Sequence, residues 1–189
     1  IAVNESEVVL IGKEASRFAE IYQQAFPEID PQQVYQLTRD NARKLVYQTS
    51  LDKRVFSGSD HGTRHILEGN MKWADKIIDS LGERISPKDK VLIHQIIIDH
   101  DLGYTTSIAQ AEKSFAASKD HPLFSAKFIE ANKEYYTEKF GEDGYEMIRD
   151  GILQHSYVTS EYTSEEQMKD INPDIVRSIT STVDALGVT

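Results

Sequence analysis

The chain contains no cysteine. That excludes disulfides, zinc fingers, iron–sulfur clusters and thiol nucleophiles, and it suits a reducing compartment, so a cytoplasmic location is expected. No apolar run is long enough to cross a bilayer, and no signal peptide is legible. The first residue is Ile1 and not methionine, so the native start is expected to lie upstream. Strand alternation is missing throughout. Hairpin signals are nearly absent, and Asp150-Gly151 sits inside a helical pattern. There is no internal repeat, low-complexity tract or linker. Positive charge is in deficit, with 21 basic against 31 acidic residues and a formal charge of −10. Such a surface repels nucleic acid and anionic membrane, so neither is an expected partner, although a local basic pocket for one phosphate remains compatible with it. With 39% hydrophobic residues over 189 positions, the chain is expected to form one all-α domain, residues 1–189, with a sizeable core.

The segment Lys90 to Gly103, KVLIHQIIIDHDLG, organises the rest. Val91, Leu92, Ile93, Ile96, Ile97 and Ile98 point several ways round a helical wheel, as in a helix buried on most sides. Ser86-Pro87 reads as an N-cap followed by proline at the first helical position, and Asp89 lies in the first turn. Gly103 reads as the stop. The C-terminal end of this helix carries Asp99, His100 and Asp101 into the interior. That is costly unless the three are paired or bind a metal.

The remaining elements follow from periodicity and punctuation. Glu5 to Phe26 reads as an amphipathic helix ended by Pro27. Asp30-Pro31 opens a second helix, expected to run to about Val46. Ser57-Gly58-Ser59-Asp60 is a turn cluster. Leu67, Met71, Ala74, Ile78 and Leu81 form one apolar stripe, with Ile66, Trp73 and Ile77 along its edge, and Gly82 closes that helix. Ser107 to Ser118 is expected to be helical. Pro122 is expected at the first position of a further helix reaching Tyr135 or Tyr136, with His121 as its N-cap. Gly141 to Gly144 reads as a turn, Tyr145 to His155 as a short helix, and Ser160 to Asp170 as a polar loop. Asn172-Pro173-Asp174 starts the last helix, with Val176, Ile179, Val183 and Leu186 on one face.

The histidines are His61, His65, His94, His100, His121 and His155. One histidine on an apolar face is ordinarily a satisfied core residue. Several of them on inner helices, together with Asp101 and Asp184, form a donor set that suits iron, manganese, zinc or cobalt. His65, the His100-Asp101 doublet ending a buried apolar helix, and the late Asp184 in VDAL together resemble the HD-domain metal-dependent phosphohydrolase superfamily. The resemblance covers about residues 58–186, with 1–57 as N-terminal helices packed on that core. It implies a helical bundle around a buried metal site. His121 in DHPLFSAKFI and His155 in GILQHS fall where one branch of the superfamily has two extra histidines.

By that resemblance, His65, His100, Asp101 and Asp184 hold one metal, and His121, His155 and a bridging Asp101 hold a second. His61 and His65 share a helical face, so either can be the first ligand. His65 is preferred because the helical stripe begins there, as in the family. His61 then becomes either a group supporting the ligands from behind or a substrate-side group. Arg64, Lys72 and Lys119 are the nearby cations able to hold a phosphate. His94 points elsewhere and reads as structural. Asp99 is the rival to Asp101 and reads as a hydrogen-bond acceptor. The chain departs from the family in two places. Tyr104 stands where many relatives have a lysine, and SYVTSEYT after His155 lacks the Gly-Tyr-Pro signature of cyclic-di-GMP phosphodiesterases.

The expected function is hydrolysis of a small phosphoester or nucleotide phosphate by metal-activated water, with Asp101, His61 and Arg64 as catalytic residues. Two alternatives stay open. One is a di-iron oxygenase of the same superfamily, resembling myo-inositol oxygenase. The other is a non-catalytic ligand-sensing module.

Overall fold

The computed structural model describes the backbone of residues 3–55, 62–105, 115–155 and 170–187, and the side chains of these except 51–55, 115–119 and 187. Every regular element among the described residues is helical. In chain order they are α1 (Glu5–Ala25), α2 (Pro31–Val55), a π-helix π1 (Arg64–Met71), α3 (Lys72–Leu81), α4 (Pro87–Asp99), α5 (Phe115–Ala131), α6 (Lys133–Gln154) and α7 (Pro173–Gly187). Short 3-10 turns at Gly82–Arg84 and Leu102–Thr105 follow α3 and α4. No described helix is long and apolar enough to cross a membrane.

Local chemistry sets where the helices begin. Asn4 and Glu7 form a capping box at the start of α1, and Ser86 and Asp89 form another at the start of α4, where Pro87 takes the first helical position. Asp30 caps α2 through its carboxylate, which accepts from the Gln32 N–H at 2.8 Å. Asn172 caps α7 with its amide oxygen, which accepts from the Ile175 N–H. The Asn172 N–H in turn donates to Asp89 Oδ1 at 2.9 Å, so the N-terminal ends of α4 and α7 are tied together.

Helix α4 runs through the middle. Every residue from Val91 to Asp99 is buried, and the helix packs against α1, α2, π1, α6 and α7. At roughly 1.5–3 kcal/mol for each large aliphatic side chain removed from water, its apolar residues contribute a major share of the driving force for folding. The buried apolar residues form one cluster, from Ile11 in α1 to Val183 in α7.

Polar pairs fix how α4 is rotated. Asn41 and Gln95 exchange two side-chain hydrogen bonds. Asp99 is fully buried and accepts from Lys44 Nζ at 2.9 Å, Tyr136 OH at 2.8 Å and Gln95 Nε2 at 2.7 Å. His94, also buried, donates to Glu14 at 2.7 Å and to Asp75 at 2.9 Å. Burial opposes its charge, but the two carboxylates outweigh that and push its pKa up to about 9.

Several boundaries differ from the sequence reading. Helix α2 continues to Val55, beyond Val46, because Gln48 and Thr49 find buried partners that pattern alone does not reveal. Gly103 does not terminate α4, which ends at Asp99. Pro122 lies inside α5, so His121 is a helical residue and not an N-cap. That helix stops before Asn132, and Tyr135 and Tyr136 belong to α6. The turn expected at Gly141 is a kink within α6, where Gly141 adopts φ 78°. Trp73 is exposed, with Lys76 over its ring, and Leu186 is exposed as well. The turn at Ser57–Asp60, most of the helix expected over Ser107–Ser118 and nearly all of the loop at Ser160–Asp170 lie outside the described residues.

Candidate metal centre

Five elements deliver side chains to one buried point. His65 comes from π1, His100 and Asp101 from the turn after α4, His121 from α5, His155 from the end of α6 and Asp184 from α7. All are buried except Asp184, which keeps 22% of its side chain exposed and marks the solvent side of the cluster.

Asp101 sits between two groups of histidines. Its Oδ2 lies 3.2 Å from His100 Nε2 and 3.5 Å from His65 Nε2. Its Oδ1 lies 3.3 Å from His121 Nε2 and 4.0 Å from His155 Nε2. Asp184 Oδ1 closes the first group, 3.2 Å from His100 Nε2 and 3.6 Å from His65 Nε2. The two groups touch, since the His100 and His155 rings meet edge to face with centroids 4.8 Å apart.

The donor set fits divalent ions. First-row metals bind imidazole and carboxylate at about 2.0–2.2 Å, which spaces neighbouring donor atoms by roughly 3.0–3.5 Å. The separations around Asp101 Oδ2 and Asp184 Oδ1 fall in or next to that range. The tautomers fit too. His100 Nδ1 donates to the Ile97 carbonyl at 2.6 Å, and His155 Nδ1 donates to the Ile152 carbonyl. Backbone acceptors of this kind leave Nε2 to face a metal. The Nε2 atoms of His121 and His155 lie 2.9 Å apart. Two such atoms must share a proton or a cation. Three overlapping sets of these residues, His65–His100–Asp101, His100–His155–Asp184 and Asp101–His121–His155, place donor atoms close enough to hold a metal ion.

The electrostatics follow from the same contacts. Burial works against charge on His65, but Asp101 and Asp184 push its pKa up to about 9. His100 is likewise raised well above its ordinary value. Burial would raise the Asp184 carboxyl, but hydrogen bonds from His100 and His65 hold it far below the usual range. His155 moves the other way. Burial and the neighbouring His100 charge lower it to about 4, so it stays neutral.

The two sides of the doublet are held differently. Asp99 faces away from the cluster into the Lys44–Tyr136–Gln95 network, and Asp101 faces the histidines. Ser125 was not legible as a site residue. Its hydroxyl donates to the His100 carbonyl at 2.7 Å and accepts from the Gly103 N–H at 2.6 Å, which ties α5 to the doublet. Gly103 is needed for room, since a Cβ there would lie 2.0 Å from the His121 carbonyl oxygen. Tyr104 stacks on the His121 ring, with centroids 4.2 Å apart at 17°.

Asn70 was also missed. It is fully buried, and its Nδ2 lies 3.4–3.5 Å from His65 Nε2, His100 Nε2 and Asp184 Oδ1. On an α-helix, residues five apart diverge by about 140°. The i→i+5 bonding of π1 brings His65 and Asn70 to one face, and π segments recur at functional sites. The Asn70 Oδ1 has no hydrogen-bond partner among the described residues, which costs about 1–3 kcal/mol for a buried carbonyl.

Of the other candidates, Arg64 is exposed, and no ion pair or hydrogen bond joins it to the cluster. Lys72 is exposed as well. His61 and the Lys119 side chain lie outside the described residues. Comparison of the chain with protein-family models, with curated proteins and with solved structures finds no match.

Proposed function

We propose that this protein is a metal-dependent phosphohydrolase of the HD-domain type, acting on a small phosphoester or nucleotide phosphate. One observation carries the reading: the two carboxylate oxygens of Asp101 face separate histidine groups. A carboxylate can bridge two cations, whereas an imidazole binds one metal through one nitrogen. In this reading His65, His100, Asp101 and Asp184 would hold one ion, and Asp101, His121 and His155 would hold a second. Divalent ions there would supply Lewis acidity and a water acidic enough to lose its proton near neutral pH. That chemistry requires no serine or cysteine nucleophile.

The chain's own residues have definite tasks. Ile97 and Ile152 set the His100 and His155 tautomers through their carbonyls. Tyr104 and Ser125 hold His121 and the doublet in register. The apolar residues of α4 keep bulk water from the inner face of the cluster. Asp184, partly exposed, lies on the side a substrate would approach. By the resemblance, Arg64 and His61 are assigned to the phosphate.

A second reading, dioxygen activation by two irons, draws on the same order of ligands. Tyr104, which stacks on His121 where many phosphohydrolases of this type have a lysine, instead keeps a non-catalytic module open. Elemental analysis of protein purified without chelator, followed by a phosphoester panel and an oxygen-uptake assay, tests both. Hydrolysis with up to two transition metals per chain supports the first. Iron with oxygen uptake and no hydrolysis replaces it with the second. A metal-loaded protein inert in both assays points to a ligand-sensing module.

A further inference from the structure

The carboxamide of Asn70 is badly matched to its surroundings as it stands. Its Nδ2 is directed at Asp184 Oδ1 at 3.4 Å and at His100 Nε2 and His65 Nε2 at 3.4 and 3.5 Å. All three separations exceed the ordinary length of a hydrogen bond from an amide, about 2.7–3.2 Å. The other end of the group, Oδ1, is buried without a hydrogen-bond partner among the described residues. The long contacts are nevertheless equal to one another within 0.1 Å, and they match the other donor separations in this group, 3.2–3.6 Å. One atom equidistant from two imidazole nitrogens and a carboxylate oxygen occupies the place of another ligand around a common ion. The two ends of a carboxamide are nearly isosteric, so a half-turn about its last side-chain bond exchanges them without moving the helix.

We propose that Asn70 is a further ligand of the ion held by His65, His100 and Asp184, binding through Oδ1 after this half-turn. The inference rests on the metal-binding reading above and extends it. Asn70 joins His65, His100, Asp101 and Asp184 as a donor to that ion. Structural and catalytic zinc sites are mostly four-coordinate, with three or four protein ligands. A neutral amide oxygen added to two carboxylates and two imidazoles instead suits six-coordinate ions of the manganese or iron type. The π register of Arg64–Met71 acquires a purpose, because it places His65 and Asn70 on the same ion. The second group, around His121 and His155, lacks this donor, so the two ions should differ in preference.

The test measures Mn2+ and Zn2+ affinities by chelator competition on the full chain and on Asn70→Ala and Asn70→Asp, with circular dichroism as the folding control. In Asn70→Ala, one of two bound Mn2+ ions should weaken by at least roughly tenfold, the loss that even partners outside the ligand set commonly cause, while the other ion stays within about threefold. Zn2+ should weaken less than Mn2+. Asn70→Asp keeps an oxygen at the site and should hold Mn2+ at least as tightly as the parent. Its affinity carries the test alone if the alanine variant does not fold. Co2+ loaded into Asn70→Ala should absorb more strongly in the visible as coordination number falls. Unchanged Mn2+ affinity in Asn70→Ala would overturn the proposal and leave the metal centre standing. So would loss of Mn2+ from Asn70→Asp, which would mean that the amide acts as a donor to Asp184. A parent protein that binds neither ion would remove the metal centre and this ligand together.

Discussion

Gly103→Ala is the sharpest test of how the two halves of the cluster are held. A Cβ at that position would lie 2.0 Å from the His121 carbonyl oxygen, 2.9 Å from its carbonyl carbon and 2.9 Å from the Ser125 nitrogen. These are backbone atoms, so no side chain can swing aside. The shortest contact is more than about 1 Å inside ordinary van der Waals separation. Either α5 or the turn after α4 must move by about that much. The movement strains two hydrogen bonds, Gly103 N–H to Ser125 Oγ at 2.6 Å and Ser125 Oγ to the His100 carbonyl at 2.7 Å. Overpacking costs about 1–3 kcal/mol, and each strained hydrogen bond adds up to about 1 kcal/mol. The total stays below a typical domain stability of about 5–15 kcal/mol, so the variant should fold but melt several degrees lower. Movement of α5 carries His121 away from Asp101 Oδ1, whereas His65 and Asp184 come from other elements, π1 and α7. On the two-metal reading, the expected result is one metal per chain against two in the parent, read by elemental analysis beside a thermal melt. Ser125→Ala, which removes only the hydroxyl, should give a smaller loss of the same kind. A Gly103→Ala protein that melts with the parent and keeps its full metal content would show that α5 does not approach the doublet this closely.

Three further outcomes follow from the same contacts. Asp101→Ala should lose both metals, His121→Ala should keep about one, and Asp99→Asn should keep both. A loaded Asp101→Ala beside an empty Asp99→Asn would reverse the assignment of the doublet. Ile97→Asp buries a lone carboxylate in α4, where Ile97 is 2% exposed, and should leave the chain unfolded by circular dichroism, since the cost of several kcal/mol rivals the whole stability; a cooperative melt near that of the parent would refute this. His94 has a folded pKa of about 9 against an ordinary value of about 6.5, so its contribution is complete below about pH 6.5 and is lost as pH rises through about 9, amounting to roughly 3 kcal/mol. Urea midpoints of the parent and His94→Gln should therefore differ at pH 6 and converge by about pH 9.5, because His65 and His100 titrate alike in both proteins and cancel. A difference independent of pH would mean that His94 is held neutral.

The parts of this fold that were legible are those where a local signal and a tertiary need agree. Ser86-Pro87 and the apolar run behind it specify a buried helix, and that helix is central. The start of α7 at Asn172-Pro173 is written just as locally. The parts misread are those where tertiary contacts override a local preference. Pro122 ordinarily opens a helix, yet α5 runs through it, in a stretch where His121 and Ser125 are held against Gly103 and His100. Gln48 and Thr49 lie beyond Val46, where the apolar pattern of α2 ends, yet they find buried partners in the Ile98 carbonyl and the Thr63 N–H and let α2 continue. Asn70 escaped because helical wheels assume 100° per residue, and only a π segment aligns it with His65.

The choice between Asp99 and Asp101 shows where sequence reasoning reaches its limit. Asp99 is the last residue of α4 and Asp101 lies in the turn beyond it, and the two carboxylates meet different partners. Their immediate neighbours in IIIDHDLG do not decide which side is which. The partners do. Lys44 and Tyr136, from α2 and α6, reach Asp99 at 2.9 and 2.8 Å, so its charge is met by a fixed ammonium and a phenol. Asp101 meets imidazoles, whose charge can be surrendered to a metal. A lysine's proton is not given up so readily, so the carboxylate it holds serves as an anchor. The anchor has a consequence for the site. With Asp99 held from two helices, α4 cannot rotate to relieve crowding at His100 and Asp101. The separations around Asp101 are then set by the bundle, and on the metal-binding reading an ion would have to fit them as they stand.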